Sequence, residues 1–211
     1  LKSGLNQDGR NIGIPSENVV IRHFVARDVI TGSGGIVFGS EMSGGVRNVY
    51  VYDARFERCD RGIRFKSTRG RGGVIEDIFV RNVQMQNIRL SAFNVNTHYA
   101  GAIDDGPAPL IRRVRLENIH VSGADRAIRL NGLEDAPLAD FSLKNAVFDG
   151  CIRGAYVENA TGLTFRDVTI RSKKEALALT SVSDAVFSDL DLEGAAPSVG
   201  DGCRNVTFES P

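Results

Sequence analysis

The stretch Asn18-Val19-Val20-Ile21 is the first copy of a short phrase that returns along the whole chain. Further copies begin at Asn48, Asp77, Arg113, Asp140, Gly162, Asp184 and Asn205, at steps of 21 to 36 residues. A period in this range is typical of stacked repeats, in which each repeat buries its apolar face against its neighbours. The sequence therefore predicts a solenoid of about eight coils.

Outward from the phrase, each repeat continues with two more short stretches of alternating apolar residues, separated by Gly, Asn, Asp and Ser. Val, Ile and Phe at alternate positions are typical of strands, and no convincing apolar stripe of period 3.6 accompanies them. The leucine spacing of a horseshoe and the long, even blade of a propeller are both missing. We therefore expect an all-β, single-stranded parallel β-helix that forms one domain over residues 1–211.

The third stretch of each repeat can be aligned, because a serine or threonine closes several copies, as in Leu1-Lys2-Ser3 and Phe65-Lys66-Ser67. Alternation then predicts which residues point into the core. They are Ile36 and Phe38, Ile63 and Phe65, Phe93 and Val95, Ile128 and Leu130, Ala155 and Val157, and Leu177 and Leu179. The opposite face is polar and locally cationic at Arg64 and Lys66. This face fits an ordinary solvated strand and an anionic-ligand site equally well.

Composition and charge limit the partners of the chain. Lys plus Arg and Asp plus Glu both total 26, so no net positive charge would attract nucleic acid. No apolar run is long enough for a membrane span, and no signal peptide is visible. Cys59, Cys151 and Cys203 lack the spacing of a zinc or redox site, so we expect buried, unpaired cysteines. The expectation is a monomer without metal, cofactor, nucleic-acid or membrane partners.

The order of the motifs resembles glycoside hydrolase family 28, the polygalacturonases and related pectin hydrolases. That family has Asn-Thr-Asp, an Asp-Asp pair followed by a Lys-Ser-Gly-like strand, Gly-His-Gly and then Arg-Ile-Lys. Here Lys2-Ser3-Gly4, Gly32-Ser33-Gly34 and Arg64-Phe65-Lys66 follow in the same order. The resemblance implies a right-handed parallel β-helix that hydrolyses α-linked galacturonide bonds with inversion and without a metal. It also implies polygalacturonate, or another uronic-acid polysaccharide, as the partner and an extracellular or periplasmic location.

The resemblance further implies roles for particular residues. Arg64 and Lys66 would bind a uronate carboxylate, because a guanidinium can donate two hydrogen bonds while an ammonium adds a point charge. Tyr99 would stack on a sugar in the same groove, or else pack within its loop. Lys2 would join the substrate-binding face. The candidate catalytic residue is Ser33, which takes the place of the family's histidine but cannot titrate; alternatively it is a turn residue.

The family's catalytic aspartates have no counterpart in this chain, because the Asp-Asp pair would fall a few residues before Leu1. The expectation is a chain truncated at its N-terminus and inactive alone. Asp104-Asp105 and Asp8-Gly9 are interpreted as turns, and His98 as too far from Ser33 to replace the histidine. The alternative function is a non-catalytic glycan-binding or structural β-helix. A pectate lyase would need a cluster of calcium-binding aspartates, which the sequence lacks.

Overall fold

The computed structural model of the chain describes residues 1–103, 105–193 and 195–209. In these residues one short helix, α1 (Asn6–Ile12), precedes ten strands that pair in parallel from coil to coil. The strands are β1 Ser16–Arg27, β2 Ile36–Gly39, β3 Val46–Glu57, β4 Ile63–Lys66, β5 Val74–Asn96, β6 Leu110–Asn131, β7 Leu138–Ser172, β8 Leu177–Asp191, β9 Ser198–Val199 and β10 Arg204–Glu209. The fold is a right-handed parallel β-helix, so the predicted fold class is confirmed.

Each copy of the phrase begins at a corner of the coil. Its first residue has a positive φ in all eight copies, from 51° at Asn205 to 67° at Gly162. A second left-handed corner follows five residues later, at His23, Asp53, Asn82, Asn118, Asn145, Asp167 and Asp189. Gly, Asn and Asp enter this backbone region most readily, which explains why they recur at these positions. The chain bends at single residues, so β7 continues for 35 residues.

Side chains of the second corner hydrogen bond along the helix axis. The Nδ2 amide of Asn82 donates to Asp53 Oδ1 at 2.9 Å. Asn118 donates to Asn82 at 2.9 Å, and Asn145 donates to Asn118 at 2.8 Å. This asparagine ladder links four successive coils. It also provides hydrogen-bond partners for the side-chain amides at this bend.

The register predicted for the third strands is confirmed. Ile36 and Phe38 of β2 pair with Ile63 and Phe65 of β4, which pair in turn with Phe93 and Val95 of β5. The pairing continues through β6, β7 and β8 with the residues that the alternation predicts. All twelve inward side chains are buried. The rings of Phe38 and Phe65 stack with centroids 4.5 Å apart, as expected for aromatic neighbours on adjacent coils.

The turn predicted at Asp8-Gly9 is wrong, because both residues lie in α1. Glycine is needed there for close packing: a Cβ on Gly9 would lie 2.6 Å from the carbonyl carbon of Gly4 and 2.9 Å from Ser43 Cβ. Arg10 of the same helix donates to the carbonyl of Gly70 at 2.6 Å. The helix is therefore held against the first coils and the loop after β4.

The remaining predictions concern single residues. Cys59 and Cys151 are buried and unpaired, as expected, whereas Cys203 is half-buried. Burial raises the pKa of the Cys151 thiol to about 11.

Asp105 is exposed in a turn, and Asp104 lies outside the described residues. No helix in the described part of the chain is long and apolar enough to cross a membrane.

Candidate functional site

The outward residues of the third strands form one continuous surface, which we call the groove strip. In register order it consists of Val37 and Gly39, Arg64 and Lys66, Asn94 and Asn96, Arg129 and Asn131, and Tyr156 and Glu158. Neighbouring coils in such a sheet are about 4.8 Å apart. The groove strip is therefore a rigid row of side chains at regular spacing, and it is polar from Arg64 to Glu158.

Three of the predicted site residues meet on this strip. Arg64 Cζ lies 5.7 Å from the ring centroid of Tyr99, and Lys66 Nζ lies 4.8 Å from it. Both distances are within the range of cation–π contacts. The backbone N–H of Tyr99 donates to the Ser67 carbonyl at 3.0 Å, which ties the tyrosine to the coil of Lys66. Arg64, Lys66 and Tyr99 thus form one cluster, which we call the cation cluster.

Arg64 points away from the core, as alternation requires, but is only 4% exposed. Its Nη1 donates to the carbonyl of Gly32, and its Nε is buried without a hydrogen-bond partner among the described residues. Burial lowers the pKa of the guanidinium, and the charge of Arg61 lowers it further. The group therefore keeps an unused donor in a region with little water, where a charge-assisted hydrogen bond is strong.

Ser33 lies half-exposed in the glycine-rich segment before β2. The neighbouring residue Gly32 is fixed from two sides, because its carbonyl accepts from Arg64 and its N–H donates to Asp60 Oδ2 at 2.5 Å. Asp60 is completely buried and also accepts from Arg89 Nε at 2.6 Å. The bond from Arg89 is the main reason that the pKa of Asp60 lies below its usual range. The backbone next to Ser33 is thus anchored to the cation cluster.

Lys2 occupies the first coil beside this site. The Leu1 amine donates to the Val37 carbonyl at 2.6 Å, and the Gly39 N–H donates to the Leu1 carbonyl at 2.9 Å, so the first residues run parallel to β2. Lys2 Nζ forms an ion pair with Glu41, which lowers the pKa of that carboxyl. The charge of Lys2 is therefore offset, whereas Lys66 has no ion-pair partner in the described part of the chain.

Sequence reasoning missed a cavity of about 430 Å³ that opens farther along the groove strip. Its lining includes four arginines, Arg61, Arg126, Arg129 and Arg153, together with Tyr156 and the carboxylates of Asp125 and Glu158. The signal was available, because Arg61-Gly62-Ile63-Arg64 recurs as Arg126-Ala127-Ile128-Arg129.

A larger concave surface, of about 590 Å³, follows the second corner on another part of the coil. Its polar lining includes Asp53, Asn82, Asn118 and Asn145, whose side chains bond one another in the asparagine ladder. These groups serve the stacking of the coils. In residues 1–103, 105–193 and 195–209, no three His, Cys, Asp or Glu side chains come together in a way that could hold a metal ion.

Comparison with known proteins gives consistent matches. The family model described as glycosyl hydrolases family 28 matches residues 6–161. A probable polygalacturonase of Vitis vinifera is 30% identical over 148 residues, which are 69% of this chain and 30% of the relative. The crystal structure of a hyperthermoactive exopolygalacturonase from Thermotoga maritima is 32% identical with a TM-score of 0.74, over 79% of this chain and 37% of that one.

A more distant structure shows the fold alone. A family 28 exopolygalacturonase from Yersinia enterocolitica is 18% identical, with a TM-score of 0.54, over 99% of this chain and 33% of that chain. The present chain therefore spans about a third of the length of the relatives that it matches.

Proposed function

Because the chain belongs to glycosyl hydrolase family 28, we propose that it carries the uronate-binding part of a groove in which α-linked galacturonide bonds of polygalacturonate are hydrolysed. Pectin hydrolysis is supported at the level of the family. The observation that carries the proposal for this chain is the cation cluster of Arg64, Lys66 and Tyr99. Its two positive charges and its aromatic ring lie side by side, so they can contact the carboxylate and the ring of the same sugar.

Each member of the cluster has a distinct task in this proposal. The carboxylate of a galacturonate residue accepts hydrogen bonds from the Arg64 guanidinium and attracts the Lys66 ammonium. The half-exposed ring of Tyr99 packs against the apolar face of the sugar. Ser33, held beside the cluster through Gly32, hydrogen bonds to a sugar hydroxyl or to the attacking water. Lys2 lies at the end of the groove strip. Its positive charge is available to the substrate only when its ion pair with Glu41 is broken.

Inverting hydrolysis also requires a carboxylic acid that donates a proton and a base that activates water on the opposite face of the sugar. Ion pairs lower the pKa values of Glu41, Glu57 and Asp60, through Lys2, Arg27 and Arg89 respectively. Such carboxylates suit hydrogen-bond acceptors better than proton donors. We therefore propose that this chain binds polygalacturonate but does not hydrolyse it alone, and that inversion is a property of the whole protein.

The substrate also decides where the protein acts. Polygalacturonate is a polymer that is met outside the cell, so an extracellular or periplasmic location is part of the proposal. A monomer is sufficient, because all residues of the cation cluster come from one chain.

The experiment combines binding with product formation. The chain is titrated with hexagalacturonate and with the same hexamer after its carboxyls are reduced to alcohols. New reducing ends are measured in polygalacturonate, with and without a calcium chelator. We expect tight binding of the charged hexamer only, and no new reducing ends. Equal binding of both hexamers would overturn the uronate site. New reducing ends that persist with the chelator would overturn the proposal that the chain is inactive alone. Cleavage that stops with the chelator would indicate a lyase.

The first testable prediction concerns Arg64. Replacing Arg64 with Gln removes the charged donor, so binding of hexagalacturonate should weaken about tenfold, which corresponds to about 1.4 kcal/mol. Binding of the reduced hexamer should not change. Arg166→Gln is a matched control, because Arg166 is exposed and lies in register with Ser188, away from the groove strip.

A further inference from the structure

The groove strip carries the same arginine arrangement twice. Arg64 is in register with Asn94, and Asn94 is in register with Arg129, so Arg129 takes the outward position of Arg64 two coils farther on. At about 4.8 Å per coil, this places their Cα atoms roughly 10 Å apart. Each arrangement has a second arginine three residues earlier, Arg61 in the first and Arg126 in the second.

Each arrangement also has a tyrosine. Arg126 Cζ lies 5.8 Å from the ring centroid of Tyr156, close to the 5.7 Å between Arg64 and Tyr99. Tyr156 is in register with Arg129 on the next coil, so the ring and the exposed guanidinium are neighbours. The cavity that they line, of about 430 Å³, therefore combines arginines with a tyrosine ring, as the cation cluster does, although its lining also contains Asp125 and Glu158.

Positive charge in this cavity exceeds what the nearby carboxylates offset. Arg126 and Arg153 are direct neighbours on adjacent coils, an arrangement in which like charges repel. Glu175 accepts from Arg126 Nη2 at 3.1 Å, and Asp125 lies 3.4 Å from Arg153. Arg129 has no ion-pair partner in the described residues. Glu158 is the other carboxylate in the lining, so four arginines stand against three nearby carboxylates, and the remaining positive charge suits an anionic ligand.

Unused hydrogen-bonding groups lie in the same place. The Nη1 of Arg126 is buried and has no hydrogen-bond partner among the described residues. A buried polar group without a partner is unfavourable and is uncommon in folded proteins. A carboxylate in the cavity would supply the missing acceptor and would also neutralise part of the excess charge.

We propose that this cavity is a second carboxylate-binding site, which takes another uronic-acid residue of the polysaccharide chain that the cation cluster binds. This inference rests on the proposed function and extends it along the groove strip. Arg126 and Arg129 bind the carboxylate, Tyr156 packs against the sugar ring, and Arg61 lies between the two sites. The protein therefore selects polymers with two free carboxylates at this separation over polymers whose carboxylates are esterified.

The test uses calorimetric titration of the full chain with hexagalacturonate and with its carboxyl-reduced form. The main variant is Arg129→Gln, because Arg129 is exposed and its loss should not impair folding. Arg126→Gln is the second variant, and Arg166→Gln is the control. We expect Arg129→Gln to weaken binding of the charged hexamer about tenfold and to leave the neutral hexamer unaffected. Wild-type affinity for the charged hexamer in both Arg129→Gln and Arg126→Gln would overturn the second site.

The two proposals fail in different ways. If Arg64→Gln weakens binding of the charged hexamer and neither Arg129→Gln nor Arg126→Gln does, the cation cluster stands and the second site is wrong. If the opposite is found, the second site stands and the role of Arg64 is wrong. If the wild-type chain binds the charged and neutral hexamers equally, both are wrong.

Discussion

Asp60 determines the local shape of the groove at the scale of a single residue. The carboxylate is completely buried, and it accepts from the Gly32 N–H of one neighbouring coil and from Arg89 of the other. A buried charge is tolerated only where such partners replace water. Asp60 therefore positions the glycine-rich segment that contains Ser33.

Replacing Asp60 with Asn should reduce the free energy of unfolding by about 2 kcal/mol, because the Gly32 N–H and the Arg89 guanidinium lose a charged acceptor that is itself completely buried. Urea denaturation measures this loss. The control is Asp28→Asn, which removes an exposed ion pair with Arg58 and should have a much smaller effect. Equal losses in the two variants would show that Asp60 is no more important than a surface pair.

The same carboxyl predicts a pH dependence. The pKa of Asp60 is lowered in the folded chain, so its contribution to stability is complete above the unfolded pKa of about 3.9. That contribution is lost as the pH falls through the lower folded value. The stability difference between the wild type and Asp60→Asn should be constant between about pH 5 and pH 8 and shrink below about pH 4. A difference that persists unchanged to pH 2 would contradict this.

At the scale of the element, the corners hold the coils in place. Asn82 combines two roles, because its backbone is left-handed with φ 53° and its side chain bonds Asp53 on one coil and Asn118 on the next. Asparagine is suited to both roles, since it tolerates this backbone region and carries a donor and an acceptor. The same combination accounts for the recurrence of Asn and Asp at this corner.

Two substitutions separate the roles of Asn82. Asn82→Gly keeps the left-handed backbone but removes the ladder bonds, whereas Asn82→Ala loses both. Alanine should therefore be the less stable variant by about 1 kcal/mol, the usual penalty for a side chain in this region. Thermal unfolding of the two variants measures the difference. If alanine is as stable as glycine, backbone strain has no part at this corner.

The sequence alone predicts the features that depend on neighbouring residues in the chain. The predicted burial of Phe65 and Val95 is confirmed, because strand alternation alone decides which way they point. The helix α1 was missed, since seven residues form a stable helix only through long-range contacts such as Arg10 to Gly70. The burial of Arg64 was missed for the same reason, because it depends on Gly32 and Tyr99, which are 32 and 35 residues away in sequence.

At the scale of the whole molecule, strand pairing in the described residues joins each coil to the coil before it and to the coil after it. Stability in such a chain is the sum of the coils and of the contacts between neighbours. The inward residues of β1, such as Val19, and of β10, such as Val206, are only half-buried, whereas those of β5, β6 and β7 are buried. Local opening should therefore be easiest at β1 and β10, whose inward residues are the less buried ones.

Hydrogen exchange measures this gradient. Amides of β5, β6 and the first half of β7 should exchange slowest, and amides of β1 and β10 should exchange fastest, because terminal coils open without disrupting the central ones. Exchange at one uniform rate along the chain would mean that the coils unfold together, in conflict with a stack of nearest-neighbour contacts.

The single-residue corners have a consequence for where the chain tolerates insertions. In six coils, the start of the third strand lies 15 to 18 residues after the start of the phrase. The connection from the end of the third strand to the next phrase is more variable, with 3 to 16 residues. All large differences in coil length therefore lie at one border of the groove strip. Segments there, such as 98–103, which contains Tyr99, can be exchanged between homologues without shifting a residue of the hydrophobic core, so ligand preference can evolve, or be engineered by grafting, independently of the scaffold.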